Sequence, residues 1–458
     1  MKARKPKDPS LVTFKEKVAF TLTNIGNVPL MTLLSSYLLL FYTTVLDMDP
    51  AKIATMFLLS KLMDGISDPV MGFLIDRFPA NKMGKFRPIL ILGTIICSVN
   101  YALLWFGPAW FPGAKYTVAY ITYLLLGWTF DIMDIPLNSI LPVMTDNLKQ
   151  RNTLSLIKSI CYGVGFMLVG VVAPMIVEKA TLENYYVLIF GTLAVVVICS
   201  IVGTLGIKER IKFSNEKEQK YTFKELLQFF LMGPVLSFFL VDFLVNIASN
   251  LVTAASTYFY TYIMGDLTLA SAMSMLTMIG SNLMYVLVLI NVPGKLGKRI
   301  VTGVGLLLAG AAYMLRLIDP ANYMLMVVLL NVVSLGGGFE GLLKYGIQAD
   351  NTNYIEYKTG KHAESAVASL SSFTTKVAQG VGGAIPGYVL AATGWVNAES
   401  AMTESVMGGI VACNTWIPAV LYVTAAVIML AWYKLDGKQL AEINETLKEK
   451  HTKEMAEL

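Results

Sequence analysis

Long apolar runs separated by short polar segments dominate the pattern along the chain. About twelve runs are long enough to cross roughly 30 Å of hydrocarbon as helices. They lie near 17–45, 52–77, 88–108, 116–145, 152–177, 185–206, 226–262, 267–292, 300–318, 322–348, 363–393 and 406–433. The composition agrees, since 55% of the 458 residues are strongly apolar and only 15% are charged. We therefore predict an all-α membrane protein with twelve transmembrane helices.

The positive charges lie mostly on one side of this predicted topology. With the N-terminus placed in the cytoplasm, 28 of the 36 lysines and arginines fall in cytoplasmic segments, and only Lys52, Lys115, Lys179 and Arg316 face the other side. This asymmetry predicts that both termini lie in the cytoplasm. The net charge of +5 gives no indication of a nucleic-acid partner.

The longest charged segment, 208–222, lies just before the midpoint of the chain. A short motif occurs on both sides of it, as Lys82-Met83-Gly84-Lys85 and as Lys295-Leu296-Gly297-Lys298, 213 residues apart. We predict an N-terminal six-helix bundle at 1–207, a cytoplasmic linker at 208–222, a C-terminal six-helix bundle at 223–437 and a cytoplasmic tail at 438–458. Two pseudo-symmetric halves resemble the major facilitator superfamily, in which the halves rock about a substrate site near the bilayer midplane.

Charged residues inside the apolar runs are candidates for function, because burying a charge in a membrane is costly. Lys61, Asp64 and Asp68 in the second run are spaced so that they share one helix face. Two carboxylates one turn apart repel each other unless a cation or proton lies between them. The spacing predicts a cation site, and the alternative is that Lys61 merely neutralises Asp64.

The fourth and fifth runs contain candidates for sugar binding. Asp131 and Asp134 lie about one turn apart, and Trp128 lies one turn before Asp131. A carboxylate suits sugar hydroxyls and an aromatic face suits the C–H face of a sugar, although Trp128 can also serve simple packing. Lys158 in the fifth run is a further charged candidate for function, although it can also extend to the membrane surface.

Polar residues also form stripes in the seventh and eleventh runs, which contain Asn250 and Lys376 respectively. Such stripes face either a wet cavity or a neighbouring helix. Lys376 lies far from both ends of its run, so we expect it to be a counter-ion for the carboxylates of the other half. In the tenth run Lys344 follows Glu340 by one turn. The two either neutralise each other, or Lys344 favours an anionic sugar.

Patterns typical of enzymes are absent from the sequence. There is no HExxH, no GxSxG and no Cys/His set, and the four cysteines all lie inside apolar runs. We therefore predict that the chain is not an enzyme and has no organic cofactor and no transition-metal site.

Several motifs resemble the glycoside–pentoside–hexuronide:cation symporters, the family of melibiose permease. They are Asp64-Gly-Ile-Ser-Asp68-Pro69, Gly84-Lys85-Phe86-Arg87-Pro88, Ile132-Met133-Asp134-Ile135-Pro136, and Ala349-Asp350 followed by the segment 354–365. The stretch 372–386 is similar to the glucuronide and xyloside carriers of that family.

The resemblance implies roles for individual residues. Asp64 and Asp68 match the acidic pair that binds the coupling cation, and Asp134 matches a sugar-binding aspartate. Lys158 stands where melibiose permease has a sugar-contacting arginine. Lys376 matches a lysine near the cation site.

Three departures from the family pattern bear on specificity. Asn27 and Val28 stand where relatives usually keep an acidic residue that binds sugar, which favours a neutral or acidic β-glycoside over an α-galactoside. Ser67 replaces an asparagine linked to sodium use. Asp131 replaces a hydroxyl residue near the cation. We therefore favour H+ over Na+ as the coupling ion, with a sodium site rebuilt around Asp131 as the alternative.

Together with the resemblance, the sequence predicts a monomeric symporter in the inner membrane of a bacterial-type cell. It is expected to couple cation entry to glycoside uptake by alternating access within the lipid bilayer. The charged loops are predicted to form a cytoplasmic gate. Its residues are Asp76, Arg77, Lys85, Arg87, Asp350, Glu356 and Glu364. Two alternatives stay open at this point: a lysophospholipid carrier of the same family, and a membrane sugar sensor without net flux.

Overall fold

The computed structural model describes most of the chain, and its regular structure is helical throughout. The described residues are 11–25, 27–79, 81, 83–145, 147–210, 223–289, 296–361, 364–399, 403–435 and 437–456. Within these ranges the regular elements are α-helices, two π-helical turns and a short 3-10 helix, with no strand. The all-α prediction is confirmed.

The first half of the described chain contains seven α-helices. Their bounds are α1 Phe14–Ile25, α2 Asn27–Leu40, α3 Pro50–Arg77, α4 Phe86–Trp110, α5 Lys115–Met144, α6 Leu148–Ile176 and α7 Leu182–Gly206. A π turn at Phe41–Val45 follows α2, and the 3-10 helix Pro112–Ala114 precedes α5. The first predicted span corresponds to α1 and α2 together, and the next five correspond to α3 through α7.

The second half follows a similar plan. Its helices are α8 Phe223–Phe230, α9 Gly233–Tyr258, α10 Leu269–Leu276, α11 Met278–Leu289, α12 Lys298–Leu315, α13 Tyr323–Thr359, α14 Glu364–Thr393, α15 Glu404–Asn414, α16 Trp416–Ala431 and α17 Gly437–Ala456. A second π turn, Phe259–Ile263, follows α9. The predicted spans of this half correspond to α8–α9, α10–α11, α12, α13, α14 and α15–α16.

Among the described residues, nine helical segments are long and apolar enough to cross a membrane. They are Phe14–Val45, Phe86–Trp110, Pro112–Met144, Thr153–Ile176, Leu182–Gly206, Gly233–Ile263, Lys298–Leu315, Tyr323–Thr359 and Glu404–Ala431. The other three predicted spans are helical as well. Of these, α3 and α14 carry the charged and polar residues singled out above, and the apolar stretch Leu269–Leu283 is shorter.

The chain divides into two compact units. One consists of Met1–Lys217, Asp266–Ala272 and Val396–Glu399, and the other of Glu218–Gly265, Met273–Trp395 and Ser400–Leu458. The domain boundaries given above stay predictions, and residues 211–222 of the predicted linker lie outside the described residues.

The residues predicted to form a cytoplasmic tail form α17, which packs on the second unit. Ile443 and Leu447 are buried in the hydrophobic core of that unit. Asn353 in α13 donates a hydrogen bond through Nδ2 to Asn444 Oδ1 at 2.9 Å. Through these residues α17 is docked on the second unit.

Local sequence accounts for several helix ends. The Asp49 side chain accepts a hydrogen bond from the Ala51 N–H at 2.8 Å at the start of α3, where Pro50 also fits the first helical position. Asn322 caps α13 in the same way through the Leu325 N–H at 3.0 Å. At the other end of α13, Gly360 adopts a left-handed conformation with φ of 72°, which favours glycine.

The two halves of the sequence share local features. The π turns begin at Phe41 and Phe259, 218 residues apart, and both begin with Phe-Tyr-Thr. The motif that suggested an internal repeat has its glycine at positive φ in both copies, 104° at Gly84 and 86° at Gly297. The repeat thus extends from sequence to backbone conformation.

Glycines allow neighbouring helices to approach closely in both units. A Cβ atom on Gly93 of α4 would lie 2.5 Å from the Ile132 carbonyl oxygen of α5. A Cβ atom on Gly305 of α12 would lie 2.4 Å from the Gly336 carbonyl oxygen of α13. Close backbone packing of this kind is typical of helices in membranes, and a larger residue at either position requires the helices to separate.

We expect Gly93→Ala to lower the melting temperature of the detergent-solubilised protein, because its methyl group meets backbone that cannot rotate away. Overpacking of this kind costs about 1–3 kcal/mol. Gly191→Ala is the matched control, since a Cβ atom added to Gly191 of α7 would have no neighbouring atom within 4 Å. Equal melting temperatures for the two variants would contradict the close α4–α5 packing.

Candidate functional site

The middle of α3 carries the first part of the site. Lys61 Nζ lies 2.8 Å from Asp64 Oδ2, and Asp64 is only 7% exposed. This ion pair lies within one helix and is compatible with both interpretations of the sequence, so the cation site stays a prediction. The pairing does not use Asp64 Oδ1, which is directed towards α5.

Helix α5 lies directly over Asp64 at a glycine. A Cβ atom on Gly127 would lie 2.3 Å from Asp64 Oδ1 and 3.8 Å from Ser67 Oγ. The buried carboxylate of α3 therefore fits against α5 only because position 127 has no side chain. Sequence reasoning did not single out Gly127, although it directly precedes Trp128.

Ser67 connects the two helices. Its hydroxyl lies 3.3 Å from the Asp64 carbonyl oxygen and 3.5 Å from Asp131 Oδ2 of α5. The predicted cation-site residues Asp64, Ser67 and Asp131 are thus brought together, with Lys61 beside them. The side chain of Asp68, the fourth predicted member, lies outside the described residues.

This group has two carboxylates and one hydroxyl against a single lysine, so one negative charge is left over when both carboxylates are ionised. Oxygen ligands suit a hard cation, and crowded carboxylates in a low-dielectric setting also favour binding a proton. Across the described residues, no cluster of three or more His, Cys, Asp or Glu side chains has the form of a metal site.

A second group lies further along α5. Asn138 Nδ2 donates to Asp134 Oδ2 at 2.7 Å, and Lys158 of α6 donates to Asn138 Oδ1. The two residues predicted to hold sugar hydroxyls are therefore linked through an amide that sequence reasoning did not single out. Lys158 Nζ also lies 5.8 Å from the centre of the Tyr162 ring. Tyr162 is 38% exposed, so the group combines an acid, an amide, a lysine and an accessible aromatic face.

The remaining predicted sugar residues are placed as follows. Trp128 is half-buried on α5, one turn before Asp131. The Asn27 side chain lies outside the described residues. Asn250 and Lys376 are half-buried in the second unit, where Asn250 Nδ2 donates to the Asn246 carbonyl oxygen at 2.8 Å.

In the second unit Lys344 pairs with a residue other than its helical neighbour. Its Nζ atom lies 2.6 Å from Asp242 Oδ1 of α9, and it also donates to Thr375 Oγ1 at 3.3 Å. Asp242 is fully buried, and Asn246 Nδ2 donates to its Oδ1 atom at 3.0 Å. The interpretation of Lys344 as a cation for an anionic sugar is therefore weakened, because Asp242 already provides its negative partner.

Two of the predicted gate residues, Lys85 and Arg87, form hydrogen bonds within the first unit. Arg87 donates through Nε to the Thr204 carbonyl oxygen at 2.9 Å and through Nη2 to that of Leu205 at 2.8 Å. The Glu209 carboxylate accepts from the Lys85 N–H at 2.8 Å and from the next two backbone N–H groups at 3.0 and 2.9 Å. A carboxylate at a helix N-terminus is favourable, so Glu209 fixes the start of α4. Sequence reasoning had assigned Glu209 only to the linker.

The other gate residues are distributed over both units. Asp350 pairs with Lys298 at 2.6 Å within the second unit, and Glu356 of the same helix is 5% exposed. Arg77 is exposed at the end of α3. The side chains of Asp76 and Glu364 lie outside the described residues. The gate itself stays a prediction.

Comparison with known proteins agrees with the resemblance drawn from the motifs. Residues 20–437 match the family described as MFS/sugar transport protein. The isoprimeverose transporter of Lactiplantibacillus pentosus is 28% identical over 464 residues, covering 98% of this chain and 94% of that protein. The glucuronide carrier protein homolog of Escherichia coli K12 is 26% identical over 440 residues, covering 94% and 95%.

A solved structure shows the same fold. The nucleoside transporter NupG superposes with a TM-score of 0.64 at 14% sequence identity, covering 92% of this chain and 100% of that one. Since the family match extends from the first predicted span to the last, the chain is a membrane transporter with the major facilitator fold and belongs to the MFS/sugar transport protein family.

Proposed function

We propose that the chain is a symporter that couples the entry of a monovalent cation to the uptake of a glycoside by alternating access. The observation that carries this proposal is the group formed by Asp64, Ser67 and Asp131, which holds two carboxylates across α3 and α5 with one lysine beside them. Cation binding would remove the remaining negative charge and draw α3 and α5 together. Sugar and cation would then each strengthen binding of the other by the same factor.

H+ is the coupling ion that the group favours. Lys61 already provides a positive charge at 2.8 Å from Asp64, and the short Ser67 side chain reaches Asp131 only at 3.5 Å. A sodium ion needs several oxygens at fixed distances, whereas a proton needs one carboxylate that is costly to ionise. Sodium is the competing ion, with Asp131 as a ligand.

The substrate proposed is a neutral or acidic β-glycoside. Asp134, Asn138 and Lys158 offer acceptors and donors for sugar hydroxyls, and Tyr162 offers a ring beside them. Relatives named as an isoprimeverose transporter and as a glucuronide carrier protein homolog support a glycoside as the substrate class. Counterflow of labelled glycosides in reconstituted vesicles tests the choice, and a carrier that exchanges only lysophospholipid would overturn it.

The proposed setting is the inner membrane, with the protein working as a monomer. The excess of lysine and arginine on one side of the predicted topology supports placing both termini in the cytoplasm.

We expect Asp134→Asn to weaken binding of the counterflow substrate by about 1.5–3 kcal/mol, the range for a hydrogen bond to a charged group. Isothermal titration calorimetry on the purified protein measures the loss directly. Asp319→Asn is the matched control, because Asp319 is an exposed carboxylate in the loop between α12 and α13. Unchanged affinity in Asp134→Asn, at an unchanged melting temperature, would remove Asp134 from the sugar site.

We expect sugar to accumulate in vesicles when a pH gradient is imposed without sodium, and not when a sodium gradient is imposed with the pH gradient held at zero. Asp131→Asn, which keeps the shape of the side chain but cannot release a proton, should abolish the accumulation while preserving counterflow. Strong sodium-driven accumulation that Asp131→Thr abolishes would show that Na+ is the coupling ion. That result would change the proposed coupling ion and leave the proposal of symport unchanged.

A further inference from the structure

The second unit contains a buried charged group that the proposed mechanism does not use. It consists of Asp242 in α9 and of Glu340 and Lys344 in α13, and we refer to it as the Asp242 cluster. Asp242 is fully buried, Glu340 is 5% exposed and the Lys344 side chain is 16% exposed. A group this deep has little access to water, so its members must neutralise one another.

The charges of the Asp242 cluster do not balance if both acids are ionised. Lys344 contacts Asp242 Oδ1 at 2.6 Å, and Asn246 donates to the same oxygen. Asp242 Oδ2 and Glu340 Oε1 are buried, and neither has a hydrogen-bond partner in the part of the chain that the structure describes. One lysine thus serves two carboxyl groups, and a buried carboxylate without a partner is costly.

Among the described residues, no cation of the surrounding helices forms a hydrogen bond with Asp242 Oδ2 or Glu340 Oε1. Tyr422 of α16 lies near Glu340, on the side of Gly337. Its Oη atom is 3.5 Å from the position that a Cβ atom added to Gly337 would occupy. Tyr313 of α12 stacks on Tyr422 with ring centres 5.6 Å apart. On α14, Thr375 accepts a hydrogen bond from Lys344, and Lys376 follows it in the chain. In the described structure, the positive group paired with the cluster is Lys344.

A proton resolves both the charge and the hydrogen bonding. With one carboxyl group protonated, the cluster has one anion, one cation and one neutral acid. The carboxyl groups of Asp242 and Glu340 interact with each other, so a protonated Glu340 can donate a hydrogen bond to Asp242. Two carboxylate ions cannot form that bond, because neither has a hydrogen atom to donate.

We propose that Asp242 and Glu340 share an exchangeable proton, which gives the second unit a proton-binding site of its own. This site is separate from the Asp64, Ser67 and Asp131 group and goes beyond the proposed symport mechanism. It holds its proton whichever cation binds in the first unit. Release of the proton leaves an unpartnered buried carboxylate, so the unit is more stable with the proton bound.

Infrared spectroscopy of the reconstituted full chain tests the proposal, because a protonated carboxyl group has a carbonyl stretch distinct from that of a carboxylate. We expect a protonated-carboxyl band near neutral pH that disappears as the pH is raised. Glu340→Gln should weaken this band by the contribution of one carboxyl group. Asp131→Asn should leave the contribution of the Asp242 cluster in place. Identical bands in the wild type and Glu340→Gln, or a Glu340 band that does not change with pH, would overturn the proposal.

A second variant and a second measurement cover the case in which Glu340→Gln does not fold. Lys344→Gln removes the cation, so both acids should hold protons and the band should grow; an unchanged or smaller band would count against the site. The melting temperature of the wild type should fall as the pH rises through the range in which the Asp242 cluster releases its proton. Asp131→Asn should show the same fall in melting temperature with rising pH. An error in the proposed cation site of the first unit and an error in the proposed proton site of the Asp242 cluster therefore give different results.

Discussion

The cost of placing an unpaired charge in an apolar interior is the constraint on which the rest of this structure depends. Three acidic side chains in the middle of helices are each met by a lysine or an amide. Lys61 meets Asp64, Asn138 meets Asp134, and Lys344 meets Asp242. Acids outnumber lysines around Asp131 and around Glu340, and the surplus negative charge at these places favours binding of a mobile cation. The same energetic rule thus separates the charges that are paired within the protein from those that leave a surplus.

Pairing also depends on how closely the backbones approach. Gly127 lets α5 lie against Asp64, and Gly93 lets α4 lie against the carbonyl of Ile132. Through the first of these contacts the polar atoms of α3 and α5 come together although both helices are mostly apolar. The geometry of such a site depends on glycines, whose lack of a side chain allows the helices to approach.

The sequence predicts the helices well because their signal is local. Runs of apolar residues, a capping residue such as Asp49 and a glycine such as Gly360 act over a few positions, and the structure has helices where these signals occur. Sequence spacing also placed Lys61 and Asp64 on one face of α3. It could not identify Asp242 as the partner of Lys344, since the two residues lie 102 positions apart without a periodic pattern to connect them, and Glu340 is the nearer acid. Glu209 escaped notice for the same reason, because its partners are backbone N–H groups more than 120 residues away.

The paired π turns bear on how the chain arose. A π turn adds one residue to a helix, which costs hydrogen-bond geometry and is therefore seldom acquired without a reason. Here the same addition occurs after α2 and after α9, with Phe-Tyr-Thr at the start of both copies. A single insertion in a six-helix ancestor, followed by gene duplication and fusion, accounts for both turns, whereas separate origins require the same rare event twice.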